Sequence, residues 1–297
     1  MAKLRVKKRS VVLIPYTYQG HVTPMLQLGK ILHSKGFSVI VAHPDFNSPN
    51  PSNHPEFVFL PLEANLSGLD TSNDILGVMS AMNQSCKAPL VDYLVPMIKD
   101  QEKYGQISCI IYDILMGFGN SVAVQLKIPS LVLSTCSAFY MQTYRIVLKL
   151  QAQNQIPLRE EKMLEPVPEL HALRYKDLVA PVNVKVDDVV MDFFTAMANI
   201  GSSVGIIWNT EEVLDRFALE EFRQSYKVPS FAIEQTTDRG FIERTIKRVM
   251  VDDEGKEIRQ KMTELKQSLE VSIQKGGSSC KSLDDLTEFI CSFPLIN

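Results

Sequence analysis

The chain has 297 residues, 45% of them hydrophobic and 22% charged, with a formal net charge of −3. That is the composition of an ordinary soluble globular protein with room for one large or two modest domains. The near-neutral balance removes the electrostatic case for nucleic acid, and no apolar run reaches the roughly 18 residues that a membrane span needs.

Met1 to Ser10 is basic, but the apolar run after it is too short for a signal-peptide core and has no small-residue cleavage site. Val11-Val12-Leu13-Ile14 reads as a fully buried parallel strand. A polar turn follows, Pro15 to His21, and a helix is expected from about Pro24, a residue suited to a helix start. Leu28, Ile31 and Leu32 give that helix its apolar face. His21 falls just ahead of the helix, where the positive end of the dipole would disfavour imidazolium and keep a neutral base available.

Phe37–Ala42 and Phe57–Leu60 read as the next strands, separated by a Pro-, Asn- and Ser-rich loop. Residues 73–99 read as two helical pieces with the break near Pro89. Ile107–Asp113 is a strand ending in a carboxylate, Gly117–Leu126 a helix, and Ile128–Thr135 a strand again. Strands alternating with helices in this way predict right-handed βαβ units and a parallel sheet. From Asn154 to Val182 the pattern fails around Pro157, Pro166, Pro168 and Pro181, leaving a long irregular connection of the kind that lines pockets.

A helix over 186–200 would bury Val189, Val190, Phe193, Phe194 and Met197, and Val204–Asn209 is a further strand, with Thr210 placed to cap the helix after it. Beyond Ile233 only helical periodicity is left. Ile242, Ile246, Val249 and Met250 form one face, Ile258, Met262, Leu265 and Leu269 another, and Leu283, Leu286 and Ile290 a last one after Gly276-Gly277-Ser278-Ser279.

Cys86, Cys109, Cys136, Cys280 and Cys291 are scattered, with no metal spacing and no paired motif, which fits reduced thiols in the cytoplasm. Asn65-Leu66-Ser67 and Asn83-Gln84-Ser85 match the glycosylation pattern, a chance match in a protein that is not secreted. His33 sits on a helix flank, and His43, His54 and His171 fall in loops, where each reads as a surface residue. Dinucleotide-fold glycines, a phosphate-binding loop, a nucleophile elbow and a zinc-protease helix motif are all absent.

The residues that carry chemistry are His21 and Asp113. Both lie at carboxyl ends of predicted parallel strands and so face one crevice, where open α/β sheets place their ligands. A histidine oriented by a carboxylate is a competent general base for a hydroxyl. The plainer alternative is that His21 and Asp113 cap helices. Ser134 and Thr135 likewise either contact a sugar or phosphate or cap the helix that follows them.

Gln19-Gly20-His21-Val22-Thr23-Pro24-Met25, with Gly29-Lys30 after it, resembles the opening of plant UDP-sugar-dependent glycosyltransferases. Leu173–Leu178, Trp208–Glu212 and Glu243–Met250 match the same family. The resemblance implies a GT-B type fold, with a Rossmann-like acceptor-binding domain over residues 1–233 and a helical remnant of the donor-binding domain over 234–297. It implies that His21 is the base, that Asp113 is its partner, that Thr135 contacts the donor sugar, and that backbone near Gly20 approaches the diphosphate. The implied co-substrate is a UDP-sugar, with UDP-glucose the expected one, and neither a cofactor nor a metal is implied. The acceptor would be a hydroxyl-bearing small molecule, held by the loops around 43–55, 70–90 and 140–200.

The family's donor signature opens on tryptophan-proline-glutamine and centres on histidine-glycine-tryptophan-asparagine-serine. This chain has a single tryptophan, Trp208, and no histidine after His171, so the signature is not in it. Two such domains would also need about 400 residues. Strand-rich sequence gives way to helix near Glu234–Gly240. Two readings follow: a glycosyltransferase impaired by the missing segment, or a non-catalytic relative that binds acceptors or pairs with a full-length enzyme. In either, the last helices must dock on the first domain, pair with another chain or stay loosely ordered.

Overall fold

Alternate residues of Val11-Val12-Leu13-Ile14 point to opposite sides of a sheet, and all are fully buried, so that strand needs cover on both faces. The computed structural model describes residues 9–233, 267 and 270–294 and supplies that cover. In chain order, strand β1 (Arg9–Ile14) leads to α1 (Gln19–Ser34), β2 (Ser38–Pro44) and β3 (Val58–Leu62). Three helices follow, α2 (Ile75–Ser85), α3 (Lys87–Lys99) and α4 (Gln101–Tyr104), and then β4 (Gln106–Asp113), α5 (Phe118–Leu126), β5 (Ser130–Ser134) and α6 (Ala138–Ala152). The irregular connection holds a small hairpin, β6 (Pro166–Val167) and β7 (Leu170–Arg174). After it come α7 (Asp188–Met197), β8 (Gly205–Trp208), α8 (Glu212–Tyr226), β9 (Ser230–Ala232) and α9 (Ser278–Ser292).

The main sheet has seven strands in the order β3-β2-β1-β4-β5-β8-β9, and every pairing is parallel. The chain builds outward from β1 to β3, then crosses back to β4 on the other side of β1. One face buries Val12, Ile14, Ile110, Tyr112 and Val132 under α2, α3, α5, α6 and α7. The other buries Val11, Leu13, Val41, Ile111 and Leu133 under α1 and α9. At Gly119 a Cβ would come within 2.7 Å of the Tyr112 Cβ and 2.9 Å of the Ile14 Cδ1, so α5 approaches the sheet as closely as only glycine permits. Among the described residues no helix is long and apolar enough to cross a membrane.

The structure departs from the sequence reading at several helices. Helix α1 starts at Gln19, ahead of Pro24, because the Tyr18 carbonyl already accepts from the His21 and Val22 N–H groups at 2.8 and 3.0 Å. Pro24 therefore lies inside the helix, with no N–H for the Gly20 carbonyl. The break between α2 and α3 falls at Cys86, and Pro89 sits in the first turn of α3, where an N–H has no helical partner in any case. Helix α7 buries Met191, Phe194 and Met197 and leaves Val189 exposed, since the apolar residues 189–197 offer more than one face and packing chose between them. Thr210 does not cap α8; its hydroxyl donates to Asp215 at 2.6 Å. His43 is buried in β2, its Nδ1 2.9 Å from the Pro44 carbonyl oxygen, where burial lowers its pKa; it is not a surface loop residue. His54 stacks on Phe57 at 5.3 Å, His33 is exposed in the last turn of α1, and His171 lies in β7.

The helical faces expected at 242–250 and 258–265, and the position of Leu269, lie outside the described residues. The last face forms α9 and docks on the sheet. Leu286 and Ile290 are fully buried, and Phe293 nearly so, in one cluster with Phe231 and Ile233. The Arg9 guanidinium donates to the Ile290 carbonyl at 3.3 Å. At the other end of α9, the Ser278 and Ser279 hydroxyls donate to the buried Glu211 carboxylate at 3.2 and 3.1 Å. An ion pair joins Lys35 to Asp284, half exposed and therefore worth little. Apolar burial, then, holds the helix. Leu286→Ala is expected to cost ~2–5 kcal/mol in denaturant unfolding, and Asp284→Ala under about 1 kcal/mol. Equal small losses would show that α9 does not rest on the sheet through its apolar face.

Candidate functional site

The sheet's strand order reverses at β1 and β4, and in open α/β sheets the crevice at such a point is where ligands bind. His21, in the first turn of α1, and Asp113, the last residue of β4, meet there. His21 Nδ1 lies 2.8 Å from Asp113 Oδ2. Thr135, just beyond β5, brings its Oγ1 to 3.0 Å from the same nitrogen. The Asp113 side chain is fully buried, and that of His21 keeps 21% of its surface exposed. The other carboxylate oxygen, Asp113 Oδ1, accepts the Leu115 N–H at 3.0 Å. Tyr16 packs edge-on against the His21 ring, with centroids 5.3 Å apart.

This geometry sets the tautomer. A carboxylate at Nδ1 fixes the proton there, so the Nε2 lone pair is free. Among the described residues the hydrogen bonds of the ring all fall on Nδ1. Burial pulls the His21 pKa down, but the charge of Asp113 and its hydrogen bond together outweigh burial and raise it above 6.5. The carboxylate at 2.8 Å favours imidazolium, the opposite direction to the effect expected of the helix dipole at the α1 N-terminus. Burial raises the Tyr16 hydroxyl well above its usual value, with Tyr18 and Asp113 adding to it. Burial and Asp113 push the Cys136 thiol up to about 11, so it stays protonated near neutral pH.

Neither His21 nor Asp113 is a helix cap. The residue at the start of α1 is Tyr18, with no side-chain cap, and the one at the start of α5 is Gly117. Ser137, not Ser134 or Thr135, caps α6 by accepting the Tyr140 N–H at 3.1 Å. Ser134 donates instead to the Cys136 carbonyl at 3.0 Å. Gly20 is exposed in the first turn of α1, and a Cβ there would meet nothing within 4 Å. The contact between Thr135 and His21 and the packing of Tyr16 were missed from sequence. Position at a strand end is their only signal, and it does not say which neighbour a side chain meets. Among the described residues no group of three or more His, Cys, Asp or Glu could hold a metal ion.

No protein-family model matches the chain. It is 50% identical over 228 residues to UDP-glycosyltransferase 76E1 of Solanum lycopersicum, an overlap covering 76% of this chain and 47% of that relative. Over 211 residues it is 36% identical to UDP-glycosyltransferase 76H1 of Stevia rebaudiana, covering 70% of this chain and 49% of the other. Among solved structures, a UDP-glucosyltransferase from Polygonum tinctorium capable of glucosylating indoxyl superposes with a TM-score of 0.60 at 20% identity, over 78% of this chain and 54% of that one. Phytolacca americana UGT2, solved with UDP-2-fluoro-glucose and pterostilbene, gives the same TM-score of 0.60 at 20% identity, with the same coverage of 78% and 54%. The fold is thus the Rossmann-like α/β fold of the GT-B glycosyltransferases. The chain belongs to the plant UDP-glycosyltransferase family, and it spans about half the length of the curated relatives it matches.

The raised pKa of His21 fixes the sign of its pH dependence. The favourable pairing with Asp113 is fully present below 6.5 and is lost as pH rises through the raised folded value. Asp113→Asn is expected to lower the His21 pKa below its value in the unmodified chain, as read by NMR titration of the ring protons. It should also flatten the decline in stability with pH just above 6.5. A His21 titration untouched by the substitution would rule out the pairing.

Proposed function

We propose that the chain carries the acceptor-activating half of an inverting UDP-sugar-dependent glycosyltransferase. His21 Nε2 takes the proton of an acceptor hydroxyl, and Asp113 orients the ring and stabilises the imidazolium that forms. The acceptor oxygen then forms a bond to the anomeric carbon of the sugar as the bond to the diphosphate breaks and its electron pair leaves with UDP. The carrying observation is the 2.8 Å contact between His21 and a fully buried Asp113 at the strand-order reversal. The kinship with UDP-glycosyltransferases supports the substrate classes: a UDP-sugar, with UDP-glucose the expected one, and a small molecule bearing a hydroxyl. On this reading Thr135 and backbone near Gly20 lie on the donor side, residues 234–297 are a helical remnant of the donor-binding domain, and the protein works in the cytoplasm.

A second reading is favoured by one observation: a single tryptophan, Trp208, and no histidine after His171, so no donor signature. Fixed donors that stabilise a leaving group are typically worth about a hundredfold or more each in rate. We infer that this chain alone transfers sugar slowly or not at all, and that it binds acceptors or pairs with a full-length relative.

Calorimetry with UDP, beside a full-length relative, separates the two. No binding up to millimolar UDP by the folded chain is the expected result. Micromolar binding that survives His21→Ala would mean that a donor site exists here. Transfer from UDP-glucose to phenolic acceptors would then be expected, with His21→Ala reducing it ~100-fold or more.

A further inference from the structure

Asp113 can hold His21 only if its own second oxygen is held. Oδ2 faces His21 Nδ1 and Oδ1 takes the Leu115 N–H, so the carboxylate is set by the turn between β4 and α5. That turn has no capping side chain of its own, because Gly117 stands at the start of α5. A residue distant in sequence takes over. On α2, the Asn83 carboxamide donates through Nδ2 to the Leu115 carbonyl at 2.8 Å and accepts the Phe118 N–H through Oδ1 at 3.0 Å. Nδ2 also donates to Met79, one turn back, at 2.9 Å, which fixes the amide's orientation. Within the turn, the Met116 N–H donates to the Asp113 carbonyl at 2.7 Å.

We infer that Asn83 is a positioning residue for the Asp113–His21 pair, its carboxamide clamping both ends of the Leu115–Phe118 turn that presents the Leu115 N–H to the carboxylate. The inference rests on the reading of that pair as the base unit, and deepens it. It also accounts for Asn83-Gln84-Ser85. The nitrogen to which a glycan would attach is engaged with two carbonyls, so the triplet serves the fold. Because α2 falls within residues 70–90, which the family resemblance expects along the acceptor pocket, the clamp would tie that wall to the base. Among the described residues, Tyr16, edge-on to His21, and Cys136, in the turn after β5, are the other titratable groups at this pair. No hydrogen bond of Asn83 goes to either.

The test is NMR titration of His21 in the full chain, which needs no turnover. Asn83→Ala is expected to lower the His21 pKa by about 0.5 or more, less than Asp113→Asn does. In an Asp113→Asn background it should add no further shift, since the carboxylate it positions is gone. If the alanine variant does not fold, Asn83→Gln, with the amide one methylene farther out, should give a smaller shift of the same sign. A variant that melts earlier yet titrates at His21 like the unmodified chain would reduce Asn83 to a structural cap and overturn the inference. So would a shift of equal size with and without the Asp113 carboxylate. If Asp113→Asn itself leaves His21 unmoved, the base pair fails first, and that outcome is distinct from failure of the clamp alone.

Discussion

The fully buried carboxylate of Asp113 is the constraint on which the crevice depends. An ionised group out of water is costly unless it is paired and hydrogen-bonded. Here the partners come from both sides of the strand-order reversal: His21 from the segment after β1, and the Leu115 N–H from the turn after β4. The demand of one side chain thereby fixes the entry of α1, the shape of the turn into α5 and the protonation of the imidazole. Thr135, on the next strand along, closes on the same nitrogen. Helix α2 reaches the turn beside this unit through Asn83, so a third element contributes to the setting of the pair.

The second face of the sheet depends on the far end of the chain. Val11, Leu13, Ile111 and Leu133 need an apolar cover that α1 alone does not extend to β9, where Phe231 and Ile233 lie. Helix α9 supplies it through Leu286, Ile290 and Phe293, with Glu211 tying its first turn to the start of α8. An isolated helix of this length would be marginal in water, and it is packing that makes it a fixed element. Of the fates open to the last helices, docking on the sheet is the one α9 takes.

Much of this was legible in the sequence because parallel strands buried on both faces leave continuous β-branched and aliphatic runs. Val11–Ile14 and Ile107–Asp113 are such runs. Their carboxyl ends carry a histidine and a carboxylate, so the pair could be brought together from topology before any coordinates. What stayed hidden was set partly by local backbone geometry and partly by contacts distant in sequence. The start of α1 was fixed by Tyr18 accepting two N–H groups, not by the proline. In α7, where apolar residues cover more than one face, neighbours decided that Met191 and not Val189 turned inward. His43 looked like a loop residue because a polar side chain within an edge-side strand breaks the apolar run that marks a strand. The raised pKa of His21 has a related origin. The helix dipole is legible from order along the chain, but the carboxylate that raises the pKa comes from 92 residues away.

The separation of the two halves of the chemistry follows from where these contacts end. Among the described residues, the groups that contact His21 or shift its pKa lie between Tyr16 and Thr135. On the proposed reading, these groups are the ones that prepare His21 to take the acceptor's proton. Sugar transfer has another requirement, a seat that holds the diphosphate and stabilises its charge as it leaves, and a proton moved to His21 without that departure simply returns. On the proposed reading, the base unit and the seat for the leaving group are separate requirements, and the contacts seen at His21 concern only the first.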